Sequence, residues 1–479
     1  MRDYILLYVN GREHRIRGEQ AFVPITDYLR YDNGLCGTKV VCAEGDCGAC
    51  TALVGHLEGD KIVYRAVNSC IQFLFQLDCS HVITVEGLKL DQQLNAVQQS
   101  MVDCHGAQCG YCTPGFVVAL CGLYDKKKCP VDLATVKEEL TGNLCRCTGY
   151  ESIIKAAQEI DEARLFNADQ MYPPQEMIVE FRKHLGESIE INAGERVFCN
   201  PVSVAEAVNF KAKHPGTVIV SGGTDVSVNA NKRGINPPAI ISTSNIPGLT
   251  EIVLNNNVIE VGARANLRDL ELFVKDLVPE FYKVLWVFGS PQIRSAGTLA
   301  GNIANASPIG DTIPFLFVVN AEIEVTGVAG SRRIKMNELY TGYKTMTLKA
   351  DEMITRTFIP VPEKTEVLKL YKISKREQLD ISSFSAAINL AKKDSRIESV
   401  RIAYGGIAAT VVRMPKTEDY LTGKEFTLDT FEQAGKIARS EIKPLSDVRG
   451  SSDFRLQLSE NILLKFFHET ADERELVCQ

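Results

Sequence analysis

The chain opens on an apolar run, Ile5 to Val9, followed by Asn10-Gly11 and then Glu13 to Ile16. Two short blocks around an Asn-Gly pair predict a β-hairpin. Lys61 to Ala66 predicts another strand, so the segment to about Leu88 reads as a small β-rich domain. The period then lengthens. Leu94, Val97 and Met101 fall at helical spacing. Thr113-Pro114 reads as an N-cap and first-turn pair leading into Phe116 to Leu120, a helix apolar on most sides and therefore buried. Val131 to Leu140 predicts a helix closed by Gly142, and Ile153, Ile154, Ala157 and Ile160 mark a fourth. Asn167 to Gln175 contains Pro173-Pro174, carries no period and reads as a linker. A mixed region follows. Ser203-x-x-Glu206 reads as a capping box, and Val218 to Val220 as a buried strand. Ile252 to Leu254 and Val258 to Val261 read as a second hairpin, and Ile359-Pro360-Val361-Pro362 as a boundary. The remainder mixes strands with helices near 427–440 and 459–470.

Length and composition narrow the class. The 479 residues suffice for about three or four domains. A 45 % hydrophobic and 24 % charged composition is that of an ordinary globular protein. Net charge is -7 with no long basic run, which argues against nucleic acid as the main partner. The first apolar run is too short for a signal peptide, and no segment approaches the ~18 apolar residues of a membrane span. The expectation is a soluble, cytoplasmic protein.

Cysteine changes the picture. Thirteen of fifteen lie between Cys36 and Cys147. That clustering points to metal ligation rather than to disulfides. Cys42-x4-Cys47-x2-Cys50 is followed by Cys70 after nineteen residues. This is the spacing of plant-type 2Fe-2S ferredoxins, with Gly45 and Gly48 letting the loop curl and bring N–H groups toward the sulfurs. Cys109-x2-Cys112 is paired with Cys145-x-Cys147 across 32 residues. Each pair sits near a predicted helix end, so two facing termini would place four thiolates around one centre, helped by the helix dipoles. By itself this second set leaves structural zinc open. The other seven, Cys36, Cys79, Cys104, Cys121, Cys129, Cys199 and Cys478, read as reduced core or surface thiols.

No G-x-G-x-x-G opens a Rossmann unit, which disfavours a dinucleotide held that way. Two other glycine-rich stretches stand out: Ser221-Gly222-Gly223-Thr224-Asp225, and Gly297 to Asn302 followed by Ser307 and Asp311. Small residues let backbone approach a pyrophosphate, and their N–H groups form an anion nest. Taken alone, each reads more readily as a ligand-free turn, because glycine-rich turns are common.

The segments "GTKVVCAEGDCGAC", "QCGYCTPGF" and "GNLCRCTGY" closely resemble the molybdenum hydroxylases, the xanthine dehydrogenase family, and the resemblance covers essentially the whole chain. It implies an α+β multidomain fold. A β-grasp ferredoxin-like domain (1–89) precedes a four-helix 2Fe-2S domain (90–165) and a linker (166–192). An α+β FAD-binding domain of the vanillyl-alcohol-oxidase/CO-dehydrogenase-flavoprotein type (193–364) and an α+β C-terminal domain (365–479) complete it. It implies 2Fe-2S at both cysteine sets, Cys42, Cys47, Cys50, Cys70 and Cys109, Cys112, Cys145, Cys147. It places Gln108 toward the pterin of a partner's molybdenum cofactor. Ser221, Gly222, Gly223, Thr224, Asp225, Phe288, Thr298, Gly301, Asn302 and Asp311 would contact FAD, with Phe288 offering an aromatic face. "YKISKREQLDIS" adds Asp380 and Ile381 near the flavin ring. One departure is Ile407-Ala408-Ala409-Thr410 after Tyr404-Gly405-Gly406, where some animal relatives carry polar or charged residues at the last two positions. The field beside the flavin, and the preference between NAD and oxygen, would differ accordingly.

The family's molybdopterin-bearing module is expected on another polypeptide, because the chain stops at Gln479 after the flavin region. The expected function is the electron-transfer subunit of a xanthine dehydrogenase, in an α2β2 assembly with a molybdopterin-binding large subunit. Electrons from oxidation of hypoxanthine or xanthine to urate would pass through two 2Fe-2S clusters to FAD and NAD. An aldehyde or other N-heterocycle hydroxylase, and a free-standing iron-sulfur flavoprotein reductase, are the competing expectations.

Overall fold

The computed structural model describes residues 1–89, 93–126 and 131–471. They form two compact units. The first takes Met1–Pro247 together with Gly289–Gly297, and the second takes Gly248–Phe288 and the chain from Thr298 onward.

In the first unit, β1 (Ile5–Val9) and β2 (Arg12–Ile16) form the expected hairpin. Asn10 and Gly11 both have positive φ (47° and 79°), as a two-residue primed turn requires. With β3 (Thr51–Glu58), β4 (Lys61–Asn68) and β5 (Ser80–Ile83) they make a mixed sheet ordered β2-β1-β5-β3-β4. Central β1 is buried on both faces, which is why its sequence runs apolar without alternation.

Four helices follow, at Ala96–Asp103, Thr113–Tyr124, Leu133–Glu139 and Glu151–Gln158. The second has Cys112, not Thr113, at its N-cap, and no side chain caps it. The expected linker is helical. Helices at Ala168–Met171 and Gln175–His184 occupy it, the first opened by a capping box between Asn167 and Gln170. Pro174 sits at the N-cap of the second, where a missing N–H is harmless, so the proline pair starts a helix instead of breaking structure. Met177 and Phe181 bury its inner face.

A four-stranded sheet, β6 (Ile189–Ala193), β7 (Arg196–Asn200), β8 (Val218–Val220) and β9 (Ala239–Ser242), is ordered β6-β7-β9-β8. Its Ile191, Phe198 and Val220 share a core with Leu7, Leu74 and Phe75. Strand β8 lies at the edge, and only Val220 of it is buried. The Ser203 box is half made. Ser203 accepts from the Glu206 N–H, while the Glu206 carboxylate accepts from the Val202 N–H and the Ser188 hydroxyl.

In the second unit, β10 (Ile252–Asn255), β11 (Val258–Gly262), β12 (Glu322–Gly327), β13 (Gly330–Lys335) and the long strand Met353–Pro360 form an antiparallel sheet. The Ile359–Pro362 boundary therefore begins inside a strand, whose Pro360 pairs with Val258. A second antiparallel sheet carries Glu366–Ile373, Phe384–Lys393, Arg396–Gly405 and Val412–Arg413. Helices at Leu428–Glu441 and Ser452–Thr470 bury Phe431, Phe466 and Phe467 in its core. Among the described residues no helix is long and apolar enough to cross a membrane.

Candidate functional site

The first cysteine set is shaped by backbone that only a few residues tolerate. Ala43, Gly45 and Gly48 all have positive φ (53°, 78° and 68°), which curls the loop around its own interior. Cys50 and Cys70 are buried, and Cys42 and Cys47 half-buried. Asparagines hold the loop in shape. Asn68 donates to the Gly45 carbonyl at 2.7 Å. Asn231, on the helix Val226–Arg233, donates to the carbonyls of Ala43 and Cys70 at 3.1 and 2.8 Å. The Asp46 N–H points at the Cys42 sulfur, 3.4 Å away. Hydrogen bonds run in succession from Cys47 to Cys42, Cys70 and Cys50. They pull the Cys42 and Cys50 thiols down, toward thiolate, and push Cys47 and Cys70 up, with burial adding to the rise.

The second set brings its sulfurs together in twos. Cys109 and Cys147 are exposed, with sulfurs 3.6 Å apart. Cys112 hydrogen-bonds Cys145, and burial followed by that contact pushes its thiol up to about 12. Burial acts against ionisation of Cys145, but the Thr148 hydroxyl and N–H, 3.2 and 3.5 Å from its sulfur, bring it below the usual thiol range. Among the described residues, one helix terminus serves this set, at Cys112. Cys145 and Cys147 lie in the bend between the helices ending at Glu139 and starting at Glu151. The sharp return needs positive φ at Gly149 and Tyr150 (69° and 70°), and the Tyr150 hydroxyl accepts the Cys145 N–H.

Among the described residues no group of three or more Cys, His, Asp or Glu side chains converges as a single metal ion requires. In the second set, sulfurs arranged in pairs suit a two-iron centre, in which each iron takes two thiolates, better than zinc, which needs all four on one ion. Of the other cysteines, burial holds Cys121 and Cys199 up at about 12, so they are inert core thiols. Cys129 and Cys478 lie outside the described residues.

In the first unit, Ser221 to Asp225 leads from edge strand β8 into the helix Val226–Arg233. This is the carboxyl end of a parallel strand, where α/β sheets bind ligands. Gly222 is obligatory, since a Cβ there would fall 1.9 Å from the Ala296 carbonyl oxygen. Gly223 has φ of 72°, and Gln72 donates to the Gly222 carbonyl. Among the described residues, the N–H groups of Gly222, Gly223, Thr224 and Asp225 find no acceptor in the protein. They form an anion nest at a helix start, which fits a pyrophosphate.

In the second unit, Thr298 caps the helix Leu299–Asn305 by accepting from the Gly301 N–H at 2.9 Å. Asn302 accepts from the Thr312 hydroxyl. Asp311 is half-buried and committed, with Lys372 at 2.8 Å on one oxygen and the Ser382 hydroxyl on the other. Both of its carboxylate oxygens therefore have partners within the protein. Phe288 is half-buried against the core. Asp380 takes the Arg376 guanidinium and N–H, which holds its carboxyl below the usual range, and Ile381 is 54 % exposed.

Sequence reasoning missed Asn68, Asn143, Asn231, Thr148 and Gln292. All but Thr148, which acts on Cys145 three residues away, work through a hydrogen bond across a long sequence gap that no spacing rule announces.

Comparison with known proteins agrees with this geometry. The family model "[2Fe-2S] binding domain" matches residues 84–158. "FAD binding domain in molybdopterin dehydrogenase" matches 190–362, and "CO dehydrogenase flavoprotein C-terminal domain" matches 369–470. The chain is an iron-sulfur flavoprotein. It carries a 2Fe-2S binding domain and an FAD-binding domain of the kind found in molybdopterin dehydrogenases. Xanthine dehydrogenase 1 of Arabidopsis thaliana is 29 % identical over 96 % of this chain and 39 % of its own length. Aldehyde oxidase 1 of Bos taurus is 28 % identical over 98 % and 39 %. The chain thus spans about two fifths of the curated relatives it matches. Quinoline 2-oxidoreductase from Pseudomonas putida 86 superposes with a TM-score of 0.53 at 26 % identity, covering 57 % of this chain and 95 % of that one. A CO dehydrogenase chain from Oligotropha carboxidovorans, 24 % identical with a TM-score of 0.54 over 57 % and 96 %, shares the fold.

Proposed function

We propose that this chain is the electron-transfer part of a molybdenum-dependent xanthine dehydrogenase, taking electrons from a partner's molybdopterin and delivering them to NAD. Cys42, Cys47, Cys50 and Cys70 would hold one 2Fe-2S cluster, and Cys109, Cys112, Cys145 and Cys147 the other. The nest at Gly222 to Asp225 would take the FAD pyrophosphate. When bound, the clusters carry single electrons and the flavin exchanges them for hydride, which matches a two-electron oxidation to NAD. The protein's own part is to fix the sulfurs, donate N–H groups to them, and keep the flavin nest free of side chains.

The observation that carries the reading is two four-cysteine sets, one buried and one at the surface, in a chain that also holds a flavin domain. The surface around the exposed set supports a partner. Gln108, Cys109 and Cys147 are exposed, and so are the apolar side chains of Val41 (61 %), Tyr111 (47 %) and Leu144 (39 %). An apolar surface beside a redox centre suits docking to another chain better than a free-standing carrier. The test is purification of the native assembly, with iron, flavin and molybdenum counted, then an assay of xanthine-dependent NADH formation. About four irons and one FAD per chain are expected. A fully loaded assembly that ignores xanthine but oxidises aldehydes would overturn the substrate assignment while leaving the electron-transfer role.

A further inference from the structure

One stretch of the flavin-domain sequence packs with the iron-sulfur loops of the first unit. Gly289–Gly297 belongs to that unit, and its helix Pro291–Ala296 turns three successive side chains onto both cysteine loops. Ile293 covers the first set, packing with Cys50, Cys70 and Ile71. Gln292 and Arg294 grip the segment that leads into the second. Arg294 is paired with Glu138, and both are buried. Gln292 is 1 % exposed, and its Nε2 donates to Asn143 Oδ1 at 2.8 Å. Asn143 is 2 % exposed, and its Nδ2 donates to the Gly48 carbonyl at 3.0 Å.

Gly48 lies between Cys47 and Cys50, so this relay ends inside the first cluster loop. Its carbonyl also accepts from the Thr51 N–H and hydroxyl. Glycines let the three strands of chain touch. A Cβ at Gly142 would fall 2.0 Å from Gln292 Oε1, and one at Gly48 would fall 2.3 Å from the Gly142 carbonyl. One residue past Asn143, the Leu144 N–H donates to the Cys47 carbonyl at 3.0 Å. Leu144 is bonded to Cys145. A single hydrogen bond therefore links a cysteine of one set to a cysteine of the other.

We propose that Gln292 is a positioning residue that sets the coupling between the two iron-sulfur centres, holding Asn143 so that the Leu144-to-Cys47 hydrogen bond joins them. The proposal rests on assigning the eight cysteines to two 2Fe-2S clusters, which iron content and cluster absorption test separately. Gln292→Leu keeps the side chain's bulk and removes its donor. In the complete assembly, with both clusters reduced, low-temperature electron paramagnetic resonance reads their spin–spin splitting. Splitting in the parent and its loss in Gln292→Leu, at full iron content, are expected. Hydrogen exchange reads the same bond without the metal. The Leu144 amide should lose protection, whatever the cluster content. Gln292→Glu, which puts an acceptor against Asn143 Oδ1, should do the same and serves if the first variant assembles poorly. Unchanged splitting with unchanged Leu144 protection overturns the proposal. So does a parent with both clusters reduced and no splitting, or a loss of stability that moves neither reading.

Discussion

At Gly222 a single hydrogen atom decides whether a loop can exist. The Ala296 carbonyl oxygen stands 1.9 Å from where a Cβ would be, and backbone cannot retreat as a side-chain tip can. Gly222→Ala should displace the loop and spoil the row of free N–H groups. A ligand at a hundred times its dissociation constant stabilises a protein by about 2.7 kcal/mol. Flavin-depleted parent protein should therefore melt higher when FAD is added, and Gly222→Ala should show no such rise. A differential scan with and without FAD checks this. Glu138 and Arg294 are 4 % and 1 % exposed at their side chains. Removing one partner of a buried pair leaves a charge in low dielectric, at a cost of about 3–5 kcal/mol. Glu138→Ala should accordingly lower the denaturant midpoint of the first unit.

Within elements, the N-terminal sheet carries its own pH dependence. His81 of β5 is fully buried; its Nε2 accepts the Gly11 N–H of the hairpin turn at 3.1 Å, and its Nδ1 lies 2.7 Å from the Tyr64 hydroxyl of β4. Burial lowers its pKa to about 4. The folded state thus favours neutral imidazole. The stabilisation is complete above the unfolded value of about 6.5 and is lost as pH falls through about 4, amounting to about 3 kcal/mol. Urea midpoints should fall between pH 6.5 and 4, and His81→Gln should flatten that slope. An unchanged slope in the variant would mean another group titrates there. The helix Gln175–His184 makes a similar test. Phe181 is fully buried, its ring 5.7 Å from that of Tyr8, so Phe181→Ala should cost about 3–5 kcal/mol. A segment acting only as a linker would show almost none.

For the whole molecule, the uneven burial of the two cysteine sets sets a direction. Cys50 and Cys70 are 2 % exposed, whereas Cys109 and Cys147 lie at the surface. On the proposed function, the exposed set is where a partner would hand over electrons, and the Tyr111 hydroxyl beside it donates to the Val40 carbonyl, next to the exposed Val41. Val41→Lys should reduce the molybdenum that copurifies while iron per chain is retained, measured by metal analysis of the purified assembly. Loss of iron together with molybdenum would instead mean that Val41 supports its own loop.

Spacing singled out the eight candidate cysteines and the two glycine-rich stretches, because covalent spacing governs which thiolates one short loop can wrap, while their assignment to two clusters and a flavin came from the resemblance. Periodicity likewise determined the first hairpin and the four helices from Ala96 to Gln158, since each is a local pattern of burial. The tertiary structure decided what local pattern does not encode. Pro173-Pro174 reads as a break, yet Phe181 beyond it finds a pocket, and burial overrides the weak local signal. Asp311 looks available in sequence but is consumed by Lys372 and Ser382, more than sixty residues away. Gln292 and Asn143, 149 residues apart, meet only because the folded chain returns a flavin-domain helix to the iron-sulfur loops. Hydrogen bonds of such separation carry no trace in the pattern of either segment, so the cysteines could be named from the chain while the bridge between them could not.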